Sequence, residues 1–190
     1  MPTLFVRIPE DRVGALIGPK GSAKQEIERR TGAQVEIEAE SGEVSVTAPD
    51  DSDPVGVLKA RDMVLAIGRG FSPMRAARLA DDETYLGVID IKTVTGRRAK
   101  SAMWRIRSRL IGTEGRARSR IEDLSGASMS VYGNTVALIG KEPQLERATR
   151  AVELLLRGSE HSVVFRMLAR LRRDDALAEA TTTSEILDVE

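Results

Sequence analysis

The chain has 190 residues, 41% hydrophobic and 31% charged, with no cysteine and a formal net charge of zero. That composition fits one ordinary globular domain or two small ones, and it excludes disulfides, cysteine-held zinc and thiol catalysis. No apolar run approaches the roughly 20 residues needed to cross a bilayer, and the N-terminus lacks a signal peptide's basic start and apolar core; no membrane partner and a cytoplasmic location are expected.

Thr3 to Ile8 reads as a strand ended by Pro9. Glu10 and Asp11 suit the first turn of a helix, where acids complement its dipole, and Val13, Leu16 and Ile17 recur as its buried stripe. Gly18-Pro19-Lys20-Gly21 interrupts that helix. A second helix is expected from Ser22 as N-cap, through Ala23 and Ile27 to Thr31, with Gly32 as its C-terminal cap. Gln34 to Glu38 and Glu43 to Thr47 alternate polar and apolar around a Ser41-Gly42 turn, which predicts a hairpin with one buried face. Asp53 as N-cap and Pro54 at the first helical position then open a helix whose Val57, Ala60, Val64 and Ile67 face inward.

A connector follows, with one helical turn expected over Met74 to Leu79, and then the order restarts. Tyr85 to Ile91 is apolar enough for a buried strand, and Ala99, Ala102, Met103, Ile106 and Leu110 line one face of a longer, arginine-rich helix. Gly112-Thr113-Glu114-Gly115 interrupts it as Gly18 to Gly21 does the first. Arg116 to Ser125 is the next helix, capped by Gly126, and Ser128 to Tyr132 with Thr135 to Ile139 form a hairpin. Pro143 opens a helix with Leu145, Ala148, Val152 and Leu155 inward. A last helix is expected over Ser162 to Arg172, with Val164, Leu168 and Leu171 on one face, bracing the two units.

An offset of 94 residues carries Gly18 to Gly112, Ile27 to Ile121, Gly32 to Gly126, Ala33 to Ala127, Val35 to Met129 and Ile37 to Val131. A register held over that distance marks a duplicated structural unit. The reading is therefore α+β, two tandem β-α-α-β-β-α units: residues 1–69, a connector at 70–84, residues 85–158, a C-terminal helix at 159–179 and a mobile tail at 180–190.

Charge is unevenly distributed between the copies. Residues 92–120 hold ten basic groups and one acid, whereas residues 1–69 hold nine basic and twelve acidic groups. Concentrated basic charge beside a glycine loop points to phosphate. Two helices joined by G-x-x-G let the main chain approach a sugar-phosphate backbone, because glycine has no Cβ to hold it off, and the N–H groups of the second helix then face the phosphates. The candidate contacts are Gly18, Pro19, Lys20 and Gly21 in the first loop, Lys24 beyond it, Gly112, Thr113, Glu114 and Gly115 in the second loop, Arg116, Arg118 and Arg120 beyond that, and Arg105 and Arg109 before it. Trp104 falls off the apolar stripe near Ile111, and either covers a core edge or is available to a base or a partner protein. Met103 and Met129 read as core, and the lone His161 as structural or solvated. Glu122 and Asp123 are adjacent on a helix and do not face each other, and no nucleophile-base set, cofactor motif or metal-ligand cluster is present.

Such a loop, clamping about four nucleotides of single-stranded nucleic acid, is what the KH module uses. An RRM needs stacking aromatics on its central strands, and this chain's few aromatics are mostly placed elsewhere. Leu16 to Gly21, Leu110 to Gly126 and Ser130 to Val136 are similar to the corresponding strings of archaeal two-KH-domain proteins of the small-subunit ribosome-assembly family, the counterparts of the eukaryotic "partner of Nob" protein. The resemblance implies two type I KH domains and a non-catalytic protein that binds single-stranded RNA at the 3′ end of the small-subunit rRNA. It also implies a maturation endonuclease and a translation initiation factor as partners. The chain departs from that family at Thr113, where a basic residue is common, and retains the acid Glu114, which opposes phosphate. The second unit is accordingly expected to supply the main RNA grip by its arginines, with the first extending the RNA track. In the alternative, the protein is an adaptor in which one KH domain docks a protein and the other binds RNA.

Overall fold

Alternating side chains build the first sheet. The computed structural model describes residues 3–49, 54–96 and 99–187. β1 (Thr3–Arg7), β2 (Gln34–Glu38) and β3 (Glu43–Thr47) pair antiparallel in the order β1-β3-β2, with Val6 opposite Val44 and Val35 opposite Val46. The valines face inward, where α1 (Glu10–Ile17), α2 (Ser22–Thr31) and α3 (Pro54–Gly68) cover them. Phe5, Glu36 and Glu38 face solvent. The period-2 pattern thus gives one buried and one wet face.

The second unit repeats this order. β4 (Tyr85–Asp90), β5 (Ser128–Tyr132) and β6 (Thr135–Gly140) pair as β4-β6-β5, covered by α6 (Lys100–Ile111), α7 (Arg116–Ser125) and α8 (Glu142–Leu156). Here, however, both faces of the central strand are buried. Val136 and Leu138 enter the second core, while Ala137 and Ile139 join the first unit's core beside Phe71, Ala76 and Leu79. Those residues come from the connector, which folds into α4 (Pro73–Ala76) and a 3₁₀ turn, Ala77–Ala80. The run Val136 to Ile139 is apolar without alternation for this reason, unlike Glu43 to Thr47.

Polar contacts close the same interface. The Tyr132 hydroxyl donates to the Asp11 carboxylate, and the Arg12 guanidinium lies 5.8 Å from the Tyr132 ring centroid. Arg12 also donates to the carbonyls of Ile67 and Phe71 at 2.8 Å. Ser130 donates to the Arg69 carbonyl at 2.9 Å, and Arg75 pairs with Glu122 at 2.7 Å.

Several local expectations differ from the structure. Ser22 is the first helical residue and not a side-chain cap; the N-cap is Gly21, whose left-handed backbone makes the turn. β4 is an edge strand with Tyr85 and Val88 exposed, so it is not a buried strand. It ends at Asp90, whose carboxylate accepts from the Thr93 N–H at 2.9 Å and caps an additional short helix, α5 (Ile91–Thr95). Ala99 is exposed at the N-cap of α6, outside the apolar face. The last helix, α9 (His161–Leu187), buries Val164 and Leu168 mainly against α7 and α8 of the second unit instead of bracing both units. It also runs past residue 179, because Ala176 to Ala180 holds strong helix formers and neither glycine nor proline intervenes before Leu187. Asp53, Arg97, Arg98 and residues 188–190 of the expected tail lie outside the described residues.

Candidate nucleic-acid interface

The two G-x-x-G loops adopt one conformation. Gly18 and Gly112 have φ/ψ of 72°/174° and 74°/173°, Lys20 and Glu114 have 53°/28° and 54°/24°, and Gly21 and Gly115 have 79°/11° and 77°/9°. The first glycine of each loop occupies a region essentially closed to other residues. A Cβ there would also lie 2.8 Å from the Ala23 Cβ in the first loop and 2.7 Å from the Ala117 Cβ in the second. Close approach of the loop to the following helix therefore requires glycine, and within each loop the N–H groups of Gly21 and Ser22, and of Gly115 and Arg116, bond back to the loop carbonyls three residues earlier. Lys20 and Glu114 are the only non-glycine residues with positive φ among those described, and both side chains stand exposed at the loop tip.

One acid in each unit ties the loop's helix to its sheet. Glu28 accepts from the Val35 N–H at 3.0 Å, and Glu122 from the Met129 N–H at 2.7 Å. This spaces α2 from β2 and α7 from β5 alike. Ile17 and Ile37 in the first unit, and Ile111 and Val131 in the second, are only half-buried, so each loop has apolar surface nearby that a base can cover.

The cations are not equivalent. Lys24 is within 3.8 Å of Glu28, but its counterpart Arg118 has no ion pair among the described residues, because Arg75 takes Glu122. Arg118 lies along the loop, its Nη2 3.9 Å from where a Cβ of Gly115 would sit, with a buried Nε that has no partner. Arg116 pairs with Glu114 at 2.8 Å, which neutralises the acid that the sequence set against phosphate. Arg105 and Arg120 are exposed. Arg109 is turned away from the loop: its guanidinium donates to the carbonyls of Gly158, at 3.1 Å, and Ser159. His161 meets the Arg109 carbonyl through Nε2 at 2.9 Å, so this residue fastens the start of α9. Trp104 is 65% exposed and covers no core edge, whereas Met103 and Met129 are buried as expected.

Behind the first loop lies a feature that sequence reasoning missed, an apolar cleft of about 660 Å³ lined by Ala15, Pro19, Ala23, Ile27, Met63 and the exposed Met74. Its acid, Glu26, is held down to about 2 by hydrogen bonds from Arg29 and then Arg30, and stays charged. The only sequence signal was Ser72-Pro73, a helix start that brings Met74 over α1 and α2.

Comparison with known proteins agrees with this duplicated architecture. Residues 3–66 match the KH domain model, and residues 85–173 match a model described as the eukaryotic-type KH domain, KH-domain type I. The chain is 46% identical over 170 residues to a KH domain-containing protein of Methanocaldococcus jannaschii, covering 89% of this chain and 74% of that one. It is 49% identical to Dim2p of Pyrococcus horikoshii OT3, with a TM-score of 0.84 over 90% of this chain and 99% of that one. The same organism's aDim2p, solved in a complex with a/eIF2alpha and rRNA, matches at 49% identity and a TM-score of 0.85, over 91% and 95% of the two chains.

Proposed function

Because the chain belongs to the archaeal two-KH-domain family of small-subunit ribosome-assembly proteins, we propose that it is a non-catalytic, cytoplasmic assembly factor that binds single-stranded rRNA at the 3′ end of the small subunit. The observation that carries this reading is the pair of loops with one backbone conformation, each exposed at the head of a helix whose dipole favours phosphate. Lys20 meets phosphate in the first unit, and Arg116, Arg118 and Arg120 do so in the second, with Gly18, Pro19, Gly21, Gly112, Thr113 and Gly115 supplying backbone approach. Glu114 acts by holding Arg116, Lys24 and Arg105 flank the two loops, and Arg109 serves the fold. The units divide at the connector, residues 70–84, and the second gives the stronger grip since its arginine is unpaired where Lys24 is engaged.

The test is binding of a labelled RNA carrying the small-subunit rRNA 3′ end across a salt series. Affinity should fall steeply with salt. Lys20→Glu should weaken binding several-fold, and Arg116→Glu with Arg118→Glu should weaken it by tenfold or more, on the order of 1–2 kcal/mol per lost phosphate contact. Unchanged affinity in both variants would remove the mechanism. A second reading is favoured by the P. horikoshii complex, which contains a/eIF2alpha beside the rRNA: one unit docks a protein, a translation initiation factor or the maturation endonuclease. Titrating both partners together distinguishes the readings, since an adaptor binds them simultaneously.

A further inference from the structure

We propose that Trp104 is a stacking platform that adds one base to the single-stranded RNA held by the second loop, at the end of α6 away from Gly112. The proposal rests on the reading of that loop as RNA-binding.

On α6, Trp104, Ser108 and Ile111 recur at i, i+4 and i+7, so they form one ridge leading to the loop. The neighbouring ridges are occupied. Met103 and Leu110 are buried in the core, Arg109 is fastened to Gly158 and Ser159, and Arg107 reaches the β5–β6 turn, donating to the Gly133 carbonyl at 3.2 Å. Trp104 is exposed one turn before Arg107, whose guanidinium reaches the β5–β6 turn. Ser108 and Ile111 correspond, at the offset of 94, to Gly14 and Ile17 of the first unit. One turn further back the first unit has Glu10, and the second has Trp104. The two copies therefore differ on this ridge, an acid in the first and an indole in the second.

Charge decides which occupant the indole suits. Lys100, one turn before Trp104, and Arg105, next in sequence, are exposed and have no ion pair among the described residues. An exposed indole with cations nearby on the same helix matches a base and its flanking phosphates, since every base has a face to stack and stacking tolerates any sequence. An apolar protein segment would leave both cations without a counter-charge.

Trp104 is the only tryptophan in the chain, so its emission reports on this site directly. RNA of the small-subunit rRNA 3′ end, shortened one nucleotide at a time, is titrated into the full-length protein, following Trp emission and the anisotropy of an RNA label. Emission should be quenched on binding, and Trp104→Ala should weaken binding about 5- to 100-fold, the range measured for loss of one stacked base. Trp104→Phe should retain most of the affinity. Removing the stacked nucleotide should weaken the wild type by the same factor and leave Trp104→Ala unaffected. Unchanged emission of the wild type on binding and unchanged affinity of a folded Trp104→Ala variant, with binding still lost on charge reversal at Arg116 and Arg118, would overturn the proposal and leave the reading of the loop intact. Failure of the wild type to bind would overturn both. Loss of binding to a protein factor in Trp104→Ala, at unchanged RNA affinity, would assign the indole to that protein and overturn the proposal.

Discussion

Gly112 and Gly115 are the same residue in one loop but answer to different constraints. Gly112 has a backbone conformation closed to side chains, and a Cβ there meets the Ala117 Cβ at 2.7 Å. Gly115 is left-handed, which a side chain tolerates at some cost, and its Cβ position is open, with Arg118 at 3.9 Å. Gly112→Ala should cost roughly 2–4 kcal/mol from strain and clash together, and Gly115→Ala about 1–2 kcal/mol from the left-handed backbone alone. Chemical denaturation of the two variants checks this, and equal costs would contradict it. Glu114 sits in the left-handed region without glycine's freedom, as Lys20 does. That shared conformation at an exposed tip is kept in both copies with side chains of opposite charge.

At the level of elements, the helix that follows the second unit is part of that unit. Val164 and Leu168 are 0% exposed, and Arg147 on α8 reaches both the Ser125 carbonyl, at 3.0 Å, and Asp175 on α9. Leu168→Ala should cost about 2–5 kcal/mol, as a truncated core leucine does. Arg109→Ala should cost about 1–3 kcal/mol through loss of charge-assisted bonds to two carbonyls, with RNA affinity changed far less than by reversal at Arg116 and Arg118. Thermal melts and RNA titrations of these variants check both. A large affinity loss in Arg109→Ala without destabilisation would return Arg109 to the RNA contacts. Sequence placed Arg109 in the basic segment correctly, but which side of α6 meets α9 depends on a helix about 50 residues away.

For the whole molecule, the shared core makes the two units one folding entity. Ala137 and Ile139 of the second sheet are buried with Phe71 and Leu79 of the connector, so neither unit is complete alone. Denaturation should follow a single cooperative transition by fluorescence and circular dichroism, and two separated transitions would refute it. The interface also carries a pH signature. Burial, and then the hydrogen bond to Asp11, raise the Tyr132 phenol above its ordinary value, against the opposing fields of Arg12 and Arg69. A group raised in the folded state contributes stability that is present in full below its unfolded value, about 10, and is lost as pH rises through the folded value. The melting temperature should therefore fall between pH 9 and 11 more steeply in the wild type than in Tyr132→Phe, and parallel curves would exclude this role.

The sequence by itself determined the two β-α-α-β-β-α units, the caps at Gly32 and Gly126, the inward faces of α3 and α8 and the position of both loops. Each of these rests on local spacing: a period of two or 3.6, or a glycine where the chain must turn. It also held the sign of the asymmetry between the copies, in the basic run around Gly112. Only the tertiary structure decided that the sheets pack unequally, that Arg109 is a fastener, that Arg118 has no ion pair among the described residues, and that Trp104 faces solvent. Those outcomes turn on partners distant in sequence, such as Arg75 taking Glu122 from across the connector, and one chain's periodicity carries no record of which distant side chain arrives first at a shared acid or carbonyl.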